Sequence, residues 1–393
     1  MHSNELMRAA VLTDVARMEV QSVPMRPPGP HDVLVRVTAV GLCGTDFHIF
    51  EGHGNYHTDE RGAPIPLRTA PQILGHEIVG VVEERGRDVT DLAPGDQVVV
   101  DQGLNCMSAR RTERCEYCAT GDSHQCAFYA EHGITGPPGG LADFITVPAV
   151  NCVRTDAATP AAEAALTEPL GCIVHASEAV AKANARYALA HAEAGRRVRH
   201  VLVCGGGPSG LLFIQYLRQA LGWDGPLLVS EPNATKRELA VRFGAEALDP
   251  EVDVIDAVTD RTAGRKVEYV IDASGAAEVF RQIPGLIRKQ GTVLLYGHGH
   301  AGADLSVLNN VQFLEPLLVS PVGASGGFLP DGRPATYARA LSLIESGRIQ
   351  AAPLVTHRYG SLDDVPAAFG GAHRQLDYVK GIVMVREPEP AAR

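Results

Sequence analysis

Aromatic residues make up only 5% of this 393-residue chain, and Trp223 is its single tryptophan. No apolar run reaches about 18 residues, so nothing reads as a membrane-spanning helix. There is no run of like charges, and 46 acidic residues outnumber 35 basic ones, for a net charge of −11. Such a chain has no basic footprint for nucleic acid or an anionic membrane, and neither is expected as a partner. The N-terminus, MHSNELMRAAVL, lacks a basic stretch followed by an apolar one, which argues against a secretory leader. Repeats and low-complexity tracts are missing, apart from a Pro/Glu/Ala tail after Arg386 that reads as disordered.

What is present is an ordinary globular composition, 45% hydrophobic and 21% charged, in a chain long enough for two domains. The 41 glycines imply many tight turns. Eight cysteines occur, at positions 43, 106, 115, 118, 126, 152, 172 and 204. Four of them fall between Cys106 and Cys126. Without an export signal this cluster reads as a metal site, not a set of disulfides, and the expected compartment is the cytoplasm.

The pattern of the first 150 residues is β. RAAVLT, DVLVRVTAVGLC, EIVGVVEERG and GDQVVVDQG are short strands, with Val33, Val35 and Val37 alternating with more polar neighbours. From residue 161 to 195 an alanine-rich stretch reads as helix. Strands and helices then alternate: VRHVLVCGGG, PLLVSEP, YVIDASG and TVLLYGHG are strands. PSGLLFIQYLRQAL, ATKRELAVRFG and residues 276–291 are helices. Alternation of this length requires parallel pairing through right-handed crossovers. After about Gly323 a helix, ATYARALSLIESG, and a strand, GIVMV, resume a mixed character, so the first domain is expected to be discontinuous.

Gly205-x-Gly207-x-x-Gly210 fits a dinucleotide-binding loop, with Pro208 and Ser209 inside it. It follows an apolar strand and precedes an apolar helix, whose N-terminus suits a pyrophosphate. Glu231 ends the next strand 21 residues after Gly210, where a carboxylate can bind the ribose hydroxyls and repel a 2′-phosphate. This favours NAD over NADP. The alternative is that Lys236 or Arg237 holds a phosphate.

Cys43, in GLCGTDFHIF, lies 33 residues before His76 in the triplet Gly75-His76-Glu77. A thiolate, an imidazole and a carboxylate suit a zinc site that leaves a position open for substrate. Cys106, Cys115, Cys118 and Cys126 suit a closed structural zinc. The long gap after Cys106 leaves open His124 as a substitute donor, and redox chemistry at Cys115 and Cys118 is a further reading.

On these residues, together with TEPLGCIVHA and VSEPNATKRELAVRFGA, the chain resembles the zinc-dependent medium-chain alcohol/polyol dehydrogenases, and most of all their sorbitol/threonine/glucose branch. The resemblance runs nearly end to end. It implies an α/β protein: a GroES-like β-rich catalytic domain (1–172 and 322–393, with a zinc-binding lobe about 101–130) around a Rossmann doubly wound parallel sheet (173–321). It also implies a homodimer or homotetramer. Carried over residue by residue, Cys43, His76 and Glu77 match zinc ligands. Glu168 matches the acid that supplies the fourth position or holds the zinc-bound water. Thr45 and His48 match a proton relay. Lys236 matches a lysine at the adenosine ribose, and Lys380 a basic residue near the pyrophosphate. Cys172 is a competing ligand four residues beyond Glu168. The loop 51–72 is longer than usual, with His53 and His57 read as surface residues. The expected activity is hydride transfer between NAD and a secondary alcohol of a polyol, sugar, cyclitol or amino-alcohol. The alternative is an NADPH-dependent aldehyde or ketone reductase of the same fold.

Overall fold

A computed structural model describes residues 5–299, 302–324 and 326–385. The tail after Arg386 lies outside the described residues. The chain divides into two compact units. One comprises residues 1–171, 324–347 and 351–393, and the other residues 172–323 and 348–350.

The first unit is built on a mixed sheet in which the long strand Asp32–Leu42 pairs antiparallel with Glu77–Arg85 and with Lys380–Met384. Gln97–Val100, Cys152–Arg154, Phe144–Pro148 and Val355–Tyr359 complete it, and a separate three-stranded sheet joins Leu6–Asp14, Arg17–Pro24 and Gln72–Ile73. The alternation read at Val33, Val35 and Val37 turns these valines, all fully buried, into one core with Leu12, Leu74, Leu141 and Phe369. Glycine fixes the close approaches between strands. A Cβ on Gly80 would stand 2.5 Å from the Arg36 carbonyl oxygen.

The second unit is a six-stranded, wholly parallel sheet. Its strands, in chain order, are Val201–Cys204, Leu227–Ser230, Glu246–Ala247, Val267–Asp272, Ile287–Leu295 and Leu317–Val319. In space the third, second and first are followed by the fourth, fifth and sixth. This is the doubly wound order, whose switch point falls between Val201–Cys204 and Val267–Asp272.

Two expected helices are shorter than read. The alanine-rich stretch is helical over Ala161–Ala164 and Thr167–Lys182 only. Beyond Lys182 it is irregular up to a 3-10 turn at Ala194–Arg196, with the Val198 amide bonded to the Ala188 carbonyl and Tyr187 buried. Alanine favours helix weakly, and past residue 183 only Tyr187 and Leu189 are large and apolar, too few to form a stripe worth burying. The helix expected over 276–291 ends at Leu286, and Ile287 already belongs to the strand Ile287–Leu295. Pro284 stands in the last turn of that helix. Gln290 has φ of 58°, so the strand is kinked within the residues that had read as helical.

Candidate functional site

The antiparallel register sets Gly41 opposite Glu77. Cys43 follows the end of one strand and His76 precedes the start of the other, so one edge of the sheet receives both. A Cβ on Gly41 would stand 1.9 Å from the Glu77 Oε2, so only glycine leaves room for that carboxylate. Cys43 Sγ, a ring nitrogen of His76 and a carboxylate oxygen of Glu77 all lie within 4.8 Å of one another.

Asp46 holds this arrangement. It is fully buried in the first turn of the helix Gly44–Phe50. Its Oδ2 accepts from the Cys43 amide at 2.9 Å, and its Oδ1 accepts from the Gly75 amide at 3.1 Å. One carboxylate thereby ties together two turns that are distant in the chain. The same oxygen lies 3.3 Å from His76 Nδ1, a charge contact that lacks hydrogen-bond alignment. Burial disfavours the charged His76 ring, but Asp46 and Cys43 outweigh it and hold the group well above the usual imidazole range. A bound cation would take the place of that proton.

Lys380, at the start of the strand Lys380–Met384, places its ammonium on Glu77, and both side chains are buried. Burial pulls Lys380 down. Glu77, Cys43 and Glu168 more than compensate, so it stays charged. The resemblance suggested a pyrophosphate for this residue, and the contact with Glu77 was not anticipated. Even so, Glu77 Oε2 remains buried without a hydrogen-bond partner. That orphaned oxygen beside a thiol and an imidazole completes an S, N and O donor set that fits zinc.

Glu168 is buried in the first turn of Thr167–Lys182 and lies outside this trio. Its Oε1 accepts from Gln102 Nε2 at 3.1 Å. Gln102 in turn accepts from the Tyr337 hydroxyl. Next to it, burial pushes the Asp101 carboxyl up to about 7, against the pull of the Gly103 amide. Thr45 Oγ1 stands 3.8 Å from Cys43 Sγ. His48 is one turn further along the same helix, its ring 6.0 Å from that of His53. His57, read as a surface residue, is half-buried and packs on Gly136, where a Cβ would stand 2.7 Å from its ring.

A second group of sulfur atoms forms around the short helix Glu116–Thr120. Cys106, Cys115, Cys118 and Cys126 bring their Sγ atoms within 4.8 Å of one another, so Cys106 joins the cluster despite the long gap. Backbone amides of Cys118 and Ala127 draw Cys115 down to about 6. The Phe128 amide points at Cys126 Sγ at 3.4 Å. Four thiols with amides aimed at them fit a cation held as thiolates, and no open position is left.

In the second unit, the loop after Val201–Cys204 shows what each glycine does. Gly205 has φ of +102°. A Cβ on Gly210 would stand 1.9 Å from the Gly205 carbonyl oxygen, so helix Pro208–Gln215 can approach its strand only with glycine there. Gly207 faces open space. A tight turn, an open approach and a close helix are what a pyrophosphate cradle requires, so the loop fits a dinucleotide. Glu231 accepts from the Gly206 amide at 2.5 Å and from the Asn233 amide at 2.8 Å. Arg237 donates from Nη1 to the Glu231 and Pro232 carbonyls. Lys236 lies half-buried in the first turn of Ala234–Arg242, its amide capped by Asn233.

Sequence reading missed Asp46, Gln102 and Tyr337. Asp46 left a signal, an acid three residues after the residue that starts a helix, which is the capping-box spacing. The Gln102–Tyr337 contact joins residues 235 apart and left none.

Comparison with known proteins agrees with this chemistry. Residues 29–157 match the alcohol dehydrogenase GroES-like domain, and residues 208–346 the zinc-binding dehydrogenase domain. The L-threonine 3-dehydrogenase of Pyrococcus horikoshii is 32% identical over 89% of this chain and 90% of its own. A sorbitol dehydrogenase of Arabidopsis thaliana is 28% identical over 95% of this chain and 93% of its own. Among solved structures, a putative zinc-binding dehydrogenase from Sinorhizobium meliloti bound to NADP matches with a TM-score of 0.78 and 28% identity. It covers 97% of this chain and 100% of that one. Among the described residues no helix is long and apolar enough to cross a membrane. The chain belongs to the zinc-dependent medium-chain alcohol/polyol dehydrogenases, a family of nicotinamide-dependent oxidoreductases.

Proposed function

We propose that this enzyme transfers a hydride between NAD and a secondary alcohol of a polyol, sugar, cyclitol or amino-alcohol. The observation that carries the reading is the convergence of Cys43, His76 and Glu77, with the Glu77 Oε2 buried and unpartnered among them. Zinc there would supply Lewis acidity toward a substrate oxygen, and the nicotinamide a hydride acceptor. Cys43, His76 and Glu77 would hold the ion, and Glu168 would supply the remaining position or orient the group that fills it. Thr45 takes the substrate proton and His48 passes it outward. Lys380 neutralises Glu77, and the resemblance assigns it a role toward the pyrophosphate as well.

Gly205, Gly207, Pro208, Ser209 and Gly210 cradle the dinucleotide, with Lys236 at the adenosine ribose. Glu231 brings its negative charge to the same loop, which supports NAD over NADP. Cys106, Cys115, Cys118 and Cys126 hold a structural zinc, and a thiolate cluster of this kind suits a reducing cytoplasm. The domains we assign are 1–172 with 322–393 and 173–321.

The protein functions as a homodimer or homotetramer. Support comes from Leu305, Phe313 and Val322, exposed by 69%, 77% and 63% in the segments that lead into and out of the edge strand Leu317–Val319. An open edge flanked by apolar side chains favours association.

The test is a screen of polyols, inositols, aminocyclitols and threonine, following nicotinamide reduction with NAD and with NADP. One of these classes should turn over, faster with NAD and not after chelation. Faster turnover with NADP would reverse the reading of Glu231.

A further inference from the structure

Gln102 follows the strand Gln97–Val100 and is only 2% exposed. Its amide has two ends with different tasks. The nitrogen donates to Glu168 Oε1 at 3.1 Å, and the oxygen accepts from the Tyr337 hydroxyl. A hydroxyl that donates to the amide oxygen fixes which way the amide faces, and so turns its NH₂ toward the carboxylate. Tyr337 is itself 1% exposed, on helix Ala335–Glu345, and its ring packs beside Gly171 of the helix that carries Glu168. A hydroxyl, an amide and a carboxylate thus form one buried line that ends on Glu168. Glu168 stays outside the Cys43, His76 and Glu77 group although its charge is felt at Lys380.

We propose that Gln102, oriented by Tyr337, is a positioning residue that holds Glu168 beside the zinc and not in its ligand set. This rests on the function proposed above and deepens it, because it chooses between the two roles open to Glu168. A carboxylate kept at hydrogen-bonding distance leaves the fourth position to water or the substrate oxygen. A carboxylate released onto the ion would close that position and add negative charge to it, which weakens its acidity. The contacts that orient groups around a metal matter nearly as much as the ligands, and losing one typically costs about 10- to 100-fold in affinity or activity.

The experiment uses the full-length protein with Co²⁺ in place of Zn²⁺. The visible d–d bands of Co²⁺ report its coordination, and the spectrum of Cys43→Ser is subtracted to remove the cysteine-cluster contribution. Glu168→Ala alone should leave the bands in place. Gln102→Leu and Tyr337→Phe should shift them as Glu168 becomes a ligand, and adding Glu168→Ala to either should restore the original spectrum. kcat/KM should fall about 10- to 100-fold in Gln102→Leu. Tyr337→Phe removes a single oxygen, and an unchanged melting temperature and far-UV circular dichroism confirm that its fold is intact. Unmoved bands in both variants, or bands that move in Glu168→Ala alone, overturn the positioning role. Cys43→Ser separates this from the underlying reading. If it keeps its full cobalt complement, the trio is not the metal site and the proposed function fails. If it loses one equivalent while the bands stay unmoved, only the positioning pair fails.

Discussion

At the scale of single residues, the site is a balance of buried charges. Glu77 is stable in the interior only because Lys380 lies against it, and zinc would share that duty. Replacing Lys380 by Met strands a buried carboxylate, a change that costs about 3–5 kcal/mol when no other cation is near. We expect urea unfolding of Lys380→Met to show a loss of that size after chelation and a smaller one with zinc bound. Equal losses in both conditions would separate Glu77 from the metal. His76 adds a dependence on pH. Asp46 and Cys43 raise its affinity for a proton, and metal must displace that proton, so zinc uptake should weaken as pH falls through the raised value. Asp46→Asn should move this dependence to lower pH in an equilibrium titration with a zinc indicator. Asp101 works the other way on stability. Its folded value near 7 lies above the unfolded one, so its contribution is complete below about pH 4 and is lost as pH rises through 7. The unfolding free energy should decline between pH 5 and 8, and less steeply in Asp101→Asn.

At the scale of elements, what could be read depended on whether the signal was local. The glycine loop was legible because each glycine answers a local demand: a positive φ at Gly205, open space at Gly207 and a carbonyl oxygen pressed against Gly210. Gly210→Ala puts a methyl carbon 1.9 Å from that oxygen and must push the helix Pro208–Gln215 off its strand. NAD binding, followed by quenching of Trp223 fluorescence or by calorimetry, should be lost in this variant while zinc content is retained. Gly207→Ala meets no such contact in the protein and should impair binding only through the ligand. Local signals failed where tertiary packing decided. The alanine-rich stretch after Lys182 has helix-forming residues but no apolar face, so it ends as an irregular segment anchored by Tyr187. Residues 287–291 had read as the end of a helix, yet Ile287 fills a fully buried place opposite Val267 in the parallel sheet.

At the scale of the whole molecule, the order of strands and helices carried the architecture. Alternation gave the doubly wound sheet, and the return to mixed character after residue 323 gave a first unit assembled from separate stretches. The motifs named Cys43, His76 and Glu77 as one zinc set with Glu168 beside it, but not how the backbone brings them together. That depends on the register of Gly41 with Glu77 and on the clamp at Asp46, neither of which a spacing rule encodes. The cysteine lobe shows the same limit. Its unusual first gap left the place of Cys106 open, and the fold closes the gap and gathers all four thiols.

The central claim is that Cys43, His76 and Glu77 hold a catalytic zinc, distinct from the ion at the four cysteines. The most direct test is zinc content per chain alongside NAD-linked turnover, in the parent protein and in Cys43→Ser. We predict two equivalents in the parent, one for each donor group. In Cys43→Ser we predict one equivalent, with turnover abolished and the fold preserved. Two equivalents and undiminished turnover in Cys43→Ser would contradict the account.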